Sequence, residues 1–199
     1  MKMLVGGEWV DREKKIEVRD PFDNSLIDTV PRADAADVAR ALAASVKGFD
    51  VSRKLTVYDR AQILFKAARI VEGRLEDFAL TIAREGSKTI REARKEARRC
   101  VNTLTASAEE AKRVQGETIS FSSFPGGEKR RGYYERVPIG VVLAITPFND
   151  PLNLVAHKLG PAVAAGNSVI LKPATVTPLS GIKLVEAFIE AGLPPLVMQ

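Results

Sequence analysis

Two short apolar runs constrain this chain more than any other feature: Val141-Val142-Leu143-Ala144-Ile145 and Ser168-Val169-Ile170-Leu171. Neither alternates polar with apolar residues, so each reads as a strand covered on both faces, the pattern of a parallel sheet. Between them Asp150-Pro151 opens a helix to about Ala165, and after them Thr177-Pro178 opens another to about Ala191. Strand, helix, strand, helix at this spacing is a βαβ unit with a right-handed crossover. The last residues, Gly192 to Gln199, read as a turn into a third parallel strand that has scarcely begun. A two-stranded parallel sheet with an open edge buries little. The expectation is therefore a truncated unit, with the sheet completed by residues beyond Gln199.

Upstream, the first thirty residues read as short strands and turns, with Val18 to Asn24 running into a turn and Leu26 to Val30 as the next strand. Three helices follow. Asp34 is the N-cap of the first, which extends to about Lys47. Thr56-Val57-Tyr58-Asp59 has the form of a capping box, with Ile63, Leu64, Ala67, Ala68, Val71 and Leu75 recurring behind it at helical spacing. That helix is expected to continue, bent, through Phe78 and Ile82 until Glu85-Gly86-Ser87-Lys88 stops it. The third helix covers about Thr89 to Val114. Thr118 to Phe121 and Gly132 to Val137 then read as a hairpin around Pro125-Gly126-Gly127.

Composition removes several classes. The chain has 199 residues, 45% of them hydrophobic and 28% charged, as in an ordinary globular protein. It has no apolar run long enough for a membrane span and no signal-peptide pattern at its start, so a cytoplasmic protein is expected. One cysteine and one histidine leave no disulfide framework and no Cys/His zinc site. The formal charge of +5 is spread through mixed stretches such as Arg91-Glu92-Ala93-Arg94-Lys95-Glu96, which read as a solvated helix face rather than a nucleic-acid surface. Neither a nucleic acid nor a membrane is expected as a partner.

Phosphate-loop motifs are missing, and Gly126-Gly127 lies in a hairpin rather than at a strand-to-helix turn. The best site is the pair of loops at the carboxyl ends of the two apolar strands, where parallel α/β sheets bind ligands. These loops hold Thr146-Pro147-Phe148-Asn149-Asp150 and Lys172-Pro173-Ala174-Thr175, each before a helix N-terminus that favours anionic groups. On residues alone Asn149 is either a helix cap or a hydrogen-bond donor to a ligand, and Lys172 is either a solvated lysine or a ligand contact.

Pro138-Ile139-Gly140-Val141-Val142, Ile145-Thr146-Pro147-Phe148-Asn149 and Pro151-Leu152 resemble a signature segment of the aldehyde dehydrogenase superfamily. Lys158-Leu159-Gly160-Pro161-Ala162, Ala164-Ala165-Gly166-Asn167, Leu171-Lys172-Pro173-Ala174, Thr177-Pro178-Leu179 and Glu190-Ala191-Gly192-Leu193-Pro194 continue the likeness. Gly6-Gly7-Glu8-Trp9, Asp20-Pro21, Arg60 and Glu85-Gly86-Ser87-Lys88 match more loosely. The resemblance covers essentially the whole chain and is most specific from Pro138 to Pro178.

What the resemblance implies is an α/β, aldehyde dehydrogenase-like fold, incomplete: an N-terminal helical layer, a β-hairpin and the first βαβα of a Rossmann-like parallel sheet. Residues 1–116 would be N-terminal strands and helices of the cofactor domain, 117–137 a hairpin of the oligomerisation region, and 138–199 the start of the cofactor-binding domain. In that family a cysteine thiolate attacks the aldehyde, hydride passes to NAD or NADP, and a glutamate base helps to hydrolyse the thioester. Both of those residues would lie beyond Gln199, and Cys100, in Arg98-Arg99-Cys100, would be a packed helix cysteine. The fragment alone is expected to be inactive.

Asn149 matches the asparagine whose amide binds the oxyanion. Cofactor contacts are implied at Ile145, Thr146, Pro147, Phe148, Lys172, Ala174 and Thr175. Thr175 stands where many NAD-preferring members have a glutamate, which leaves NADP admissible. Lys158 would be structural or electrostatic, and Arg60 has no assigned role. Asp150, Asn153 and His157 are expected to share the wall of a substrate pocket, with Asp150 and His157 seven apart on one helix face. Polar groups there suit a small hydroxy aldehyde such as lactaldehyde. A glyceraldehyde-3-phosphate-type or other semialdehyde substrate is the alternative, and a non-catalytic binding or assembly fragment is another. The resemblance also implies a homo-oligomer, a dimer or tetramer.

Overall fold

A computed structural model describes residues 1–199 as an α/β fold. Two antiparallel hairpins begin it: β1 (Met3–Val5) with β2 (Glu8–Val10), and β3 (Lys15–Arg19) with β4 (Leu26–Pro31). The first turns at Gly6-Gly7, both at positive φ, where a side chain would be strained. Four helices follow: α1 (Ala35–Ser52), α2 (Val57–Gly73), α3 (Leu75–Gly86) and α4 (Ile90–Ala111). A third hairpin pairs β5 (Glu117–Ser120) with β6 (Arg131–Tyr134). The chain closes with β7 (Val141–Ile145), α5 (Asn153–Ala164), β8 (Ser168–Lys172) and α6 (Leu179–Glu190).

The helix starts follow from local chemistry. Asp34 and Asp37 form one capping box and Thr56 and Asp59 another, while the Thr89 hydroxyl accepts the Glu92 N–H. The expected bent continuation of the second helix is instead a break. Arg74 leaves the helical region after Gly73, and α3 restarts at Leu75 with its own apolar face of Phe78, Ala79 and Ile82. Ser87, in the left-handed conformation, ends α3.

Strands β7 and β8 pair in parallel, Val141 opposite Ser168 through Ile145 opposite Lys172. Met198 bridges Val169, and Leu171 N–H donates to Gln199 O at 2.8 Å, so a third parallel segment begins beside β8. Burial on both faces, expected for β7, does not occur. Val142 and Ala144 pack inward, but Leu143 and Ile145 are 61% and 60% exposed. Helix α5 covers one face of the pair, while α1 reaches the other mainly at the start of β8, where Ser168 Oγ donates to Ser45 O. An apolar run reports that a strand can be covered on both faces, not that these residues supply both covers.

One core runs through α2, α4, α5, α6 and the inward face of the sheet. Its helix contacts use small residues, among them Ala61, Ala67, Ala93, Ala97, Ala108 and Ala156. At Gly160 a β-carbon would stand 2.6 Å from Ser107 Oγ, so α4 and α5 pack too closely for a side chain there.

Two buried carboxylates fasten the helical layer to the βαβα unit. Glu96 of α4 accepts the Leu152 and Asn153 N–H groups at 2.9 and 3.1 Å, at the start of α5. Glu85 of α3 accepts the Leu179 and Ser180 N–H groups at 2.7 and 2.9 Å, and the Ser180 hydroxyl, at the start of α6. Neither α5 nor α6 has a side-chain cap of its own. The first N–H groups of a helix lack intrahelical partners and favour negative charge, so each glutamate caps from a distance. Because burial leaves no water to replace them, Glu96→Ala should cost about 3–5 kcal/mol of folding stability, the range for removing one partner of a buried charge pair. Urea unfolding of the variant measures this, and a loss below about 1 kcal/mol, typical of an ordinary hydrogen bond, would contradict it.

Candidate functional site

The loops after β7 and β8 meet at the carboxyl edge of the sheet, where Thr146 N–H donates to Lys172 O at 3.3 Å. The first loop carries Thr146, buried, followed by Pro147, Phe148 and Asn149, all exposed. The Thr146 hydroxyl is buried without a hydrogen-bond partner, as is that of Thr177 in the second loop. In the second loop Lys172 and Thr175 are exposed and Ala174 is half-buried. Ile145, Lys172, Ala174 and Thr175 line a cleft of about 830 Å³, together with Val30, Val38 and Ala41 among others. Thr146, Pro147 and Phe148 are not among the residues lining this cleft. The structure therefore brings together four of the seven residues expected to contact a cofactor.

The helix N-termini beside these loops are not open anion sites, contrary to expectation. Glu96 and Glu85 already occupy them. For Glu85, burial pushes the carboxyl above its ordinary range, and the Ser180 and Leu179 hydrogen bonds only partly oppose this. The same contacts remove the helix-cap alternative for Asn149: the first N–H groups of α5 go to Glu96 and, from Leu154, to the Asp150 carbonyl.

Asp150 does not stand on the helix face expected for it. Helix α5 begins at Asn153, so Asp150 lies in the turn before it, its carbonyl accepting the Leu154 N–H, and its side chain does not continue the helix face of His157. Its carboxylate bridges two cations instead, Lys88 Nζ at 2.5 Å and Arg99 at 2.9 Å. Lys88 Nζ also lies 2.7 Å from Glu96. Asn153 is buried, and its side-chain oxygen accepts from Thr103 of α4 at 2.9 Å. His157 and Lys158 are exposed on α5. Asp150, Asn153 and His157 thus have three different surroundings.

Cys100 is fully buried on α4, and burial pushes its thiol far above the ordinary range, so it is no nucleophile. Arg60, given no role from sequence, donates to the Ala164 and Leu55 carbonyls and ties α2 to the end of α5. Asn167 holds the start of β7, accepting from Ile139 and Gly140 N–H groups at 2.8 and 3.0 Å.

Glu85, Glu96, Lys88 and Arg99 are the site-shaping residues that sequence reasoning passed over. Reading Arg91 to Glu96 as a solvated face is incorrect for Glu96, which is fully buried. A signal was available: Ala93, Glu96, Ala97, Cys100 and Leu104 fall on one stripe of α4 at helical spacing, and the glutamate sits within it.

Burial raises the Asp150 pKa, but Lys88 and Arg99 outweigh it and hold the carboxyl below its ordinary range. A depressed folded-state pKa contributes stability above the unfolded value, about pH 3.9, and loses it as pH falls through the folded one. Asp150→Asn should therefore lower the urea midpoint at pH 7 and matter progressively less below about pH 4. A stability difference that stays constant from pH 7 to pH 3 would contradict the ion pairing.

Comparison with known proteins places this geometry. The family profile described as "Aldehyde dehydrogenase family" matches residues 9–199. An aldehyde-dehydrogenase-like protein of Sinorhizobium fredii is 55% identical over 92% of this chain and 36% of its own length. The 3-sulfolactaldehyde dehydrogenase of Priestia aryabhattai is 46% identical over 96% of this chain and 40% of its own length. Among solved structures, the NADP-dependent glyceraldehyde-3-phosphate dehydrogenase of Bacillus halodurans, complexed with NADP, superposes with a TM-score of 0.95 at 35% identity, covering all of this chain and 42% of that one. The chain thus spans about two fifths of the length of the proteins it matches.

Proposed function

The chain belongs to the aldehyde dehydrogenase family, and on that premise we propose that its protein oxidises a small 2-hydroxy aldehyde to the acid with NAD or NADP. The observation that carries this reading is the loop after β7. Asn149 is exposed there, while the residues that follow it are fastened to α4. An exposed carboxamide on a fixed loop is preorganised to donate to an oxygen that becomes negative when a nucleophile attacks a carbonyl.

In this reading the thiolate comes from outside these residues, since the single cysteine is buried. The cofactor, when bound, supplies the hydride acceptor. Lys172 and Thr175 fit such a group: both are exposed at the end of β8, beside the cleft that Ile145 and Ala174 also line. The one carboxylate lining the cleft is Asp37, and it is already paired with Arg12, so no free acid there opposes a 2′-phosphate. We assign residues 1–116 and 138–199 to the cofactor-binding part. The hairpin within 117–137, exposed along β5 and with Tyr133 open to solvent, is assigned to pairing with another copy.

The substrate follows from charge and from the relatives. Two of them are named for 3-sulfolactaldehyde and glyceraldehyde-3-phosphate, 2-hydroxy aldehydes with an anionic tail. Arg99, paired with Asp150 through one nitrogen and half open to solvent, leaves further N–H donors next to the Asn149 loop for an anionic tail. With Asp150 and Asn153 engaged inside the protein, His157 is the remaining polar side chain of the expected trio open to a ligand.

Steady-state assay of the full-length gene product tests the reading. Lactaldehyde or an anionic 2-hydroxy aldehyde should exceed propionaldehyde by roughly tenfold or more in kcat/KM, and Asn149→Ala should lower kcat by roughly 10²–10³-fold with cofactor affinity nearly unchanged. Equal efficiency on lactaldehyde and propionaldehyde counts against the substrate class. A kcat within a few-fold of the parent removes Asn149 from the chemistry.

A further inference from the structure

We propose that Lys88 is a positioning residue for the reaction: by joining the carboxylates of Glu96 and Asp150, it fixes where Asn149 presents its amide. The inference rests on Asn149 being the oxyanion donor.

The loop from β7 to α5 is anchored unevenly. At its start a single backbone contact, Thr146 N–H to Lys172 O, holds it to the neighbouring strand. Beyond Asn149 the anchors crowd together. Asp150 pairs with Lys88 and Arg99, Leu152 and Asn153 donate to Glu96, and Asn153 accepts from Thr103. Glu96, Arg99 and Thr103 are spaced three and four apart on α4, so one helix face grips the loop.

Within that grip Lys88 has a place no other side chain takes. Its Nζ reaches Asp150 at 2.5 Å and Glu96 at 2.7 Å, linking the half-exposed carboxylate to the buried one. Its backbone is held as well, by the left-handed turn at Ser87 and by its N–H on the Ala83 carbonyl at the end of α3. A compact ammonium with three donors suits a site between two carboxylates. Burial works against its charge, and the two acids more than restore it, so Lys88 is held as the cation above its ordinary range.

Removing that cation leaves two carboxylates facing each other across the gap. Glu96 is locked among core residues by its two N–H donors, so Asp150 is the group free to move. Asn149 is its neighbour in the chain, so any shift that the repulsion drives into the Asp150 backbone carries the Asn149 amide with it. Transition-state stabilisation by a fixed donor depends on distances near 3 Å, and a displacement of about 1 Å can cost on the order of 10²-fold. Arg99 alone does not prevent this, because it holds Asp150 from the solvent side and does not reach Glu96.

A double-mutant cycle on the full-length gene product tests the proposal, with kcat and cofactor Kd read for Lys88→Met, Asn149→Ala and the pair. Lys88→Met should lower kcat about tenfold or more with Kd within about twofold, Lys88→Arg should recover part of the loss, and the pair should be no slower than Asn149→Ala alone. Losses that multiply, or a Lys88→Met kcat within about twofold of the parent, overturn it. If Lys88→Met does not yield folded protein, Asp150→Asn takes its place in the cycle. A several-fold loss that vanishes in the Asn149→Ala background supports the proposal, and a multiplicative one overturns it. Full activity of Asn149→Ala by itself would instead sink the oxyanion assignment, and this inference with it.

Discussion

Everything near the candidate site depends on two glutamates buried against helix N-termini. Backbone N–H groups at a helix start must find acceptors, and a buried carboxylate must find donors. Glu96 with α5 and Glu85 with α6 solve both needs at once. Each glutamate belongs to the helical layer, and each helix follows a strand of the sheet. The contact therefore sets where the layer sits against the sheet and where the strand-to-helix loops emerge. An arrangement of this kind tolerates little change at either end, because a buried partner left alone is costly.

Much of the fold was legible in the sequence because it is written in local patterns. The capping boxes at Asp34 and Thr56, the apolar recurrence through Leu64, Ala67 and Val71, and the alternation of strand and helix after Pro138 all appear where the residues placed them. Local pattern failed where a distant residue decided the outcome. Asn149 offers itself as a cap of the helix that follows it, yet Glu96, more than fifty residues upstream, takes that role. The open face at Leu143 and Ile145 was equally invisible, since a strand's own residues do not record what lies opposite.

The candidate site was legible through its loops and not through their support. The loop holding Asn149 and the end of β8 holding Lys172 lie at the same edge of the sheet, linked by a backbone hydrogen bond. Of the charges that hold the Asn149 loop, Glu96 lies in a stretch that reads as solvated surface, Lys88 in a segment that reads as a helix stop and Arg99 beside a cysteine that reads as packed. Mixed charge on a helix normally marks such a surface. In α4 the stretch is divided, with Arg91 and Lys95 facing water and Glu96 turned inward on the stripe of Ala93, Ala97 and Cys100.

Amide hydrogen exchange tests the claim that distant glutamates cap the two helices. In the parent protein the Leu152, Asn153, Leu179 and Ser180 amides should exchange as slowly as those of the core helices, although they begin their helices. In Glu96→Ala, which removes the acceptor, protection should fall at Leu152 and Asn153 and persist at Leu179 and Ser180, while Glu85→Ala should give the reverse. Fast exchange at all four in the parent, or loss of protection at both helices in either variant, would contradict the account.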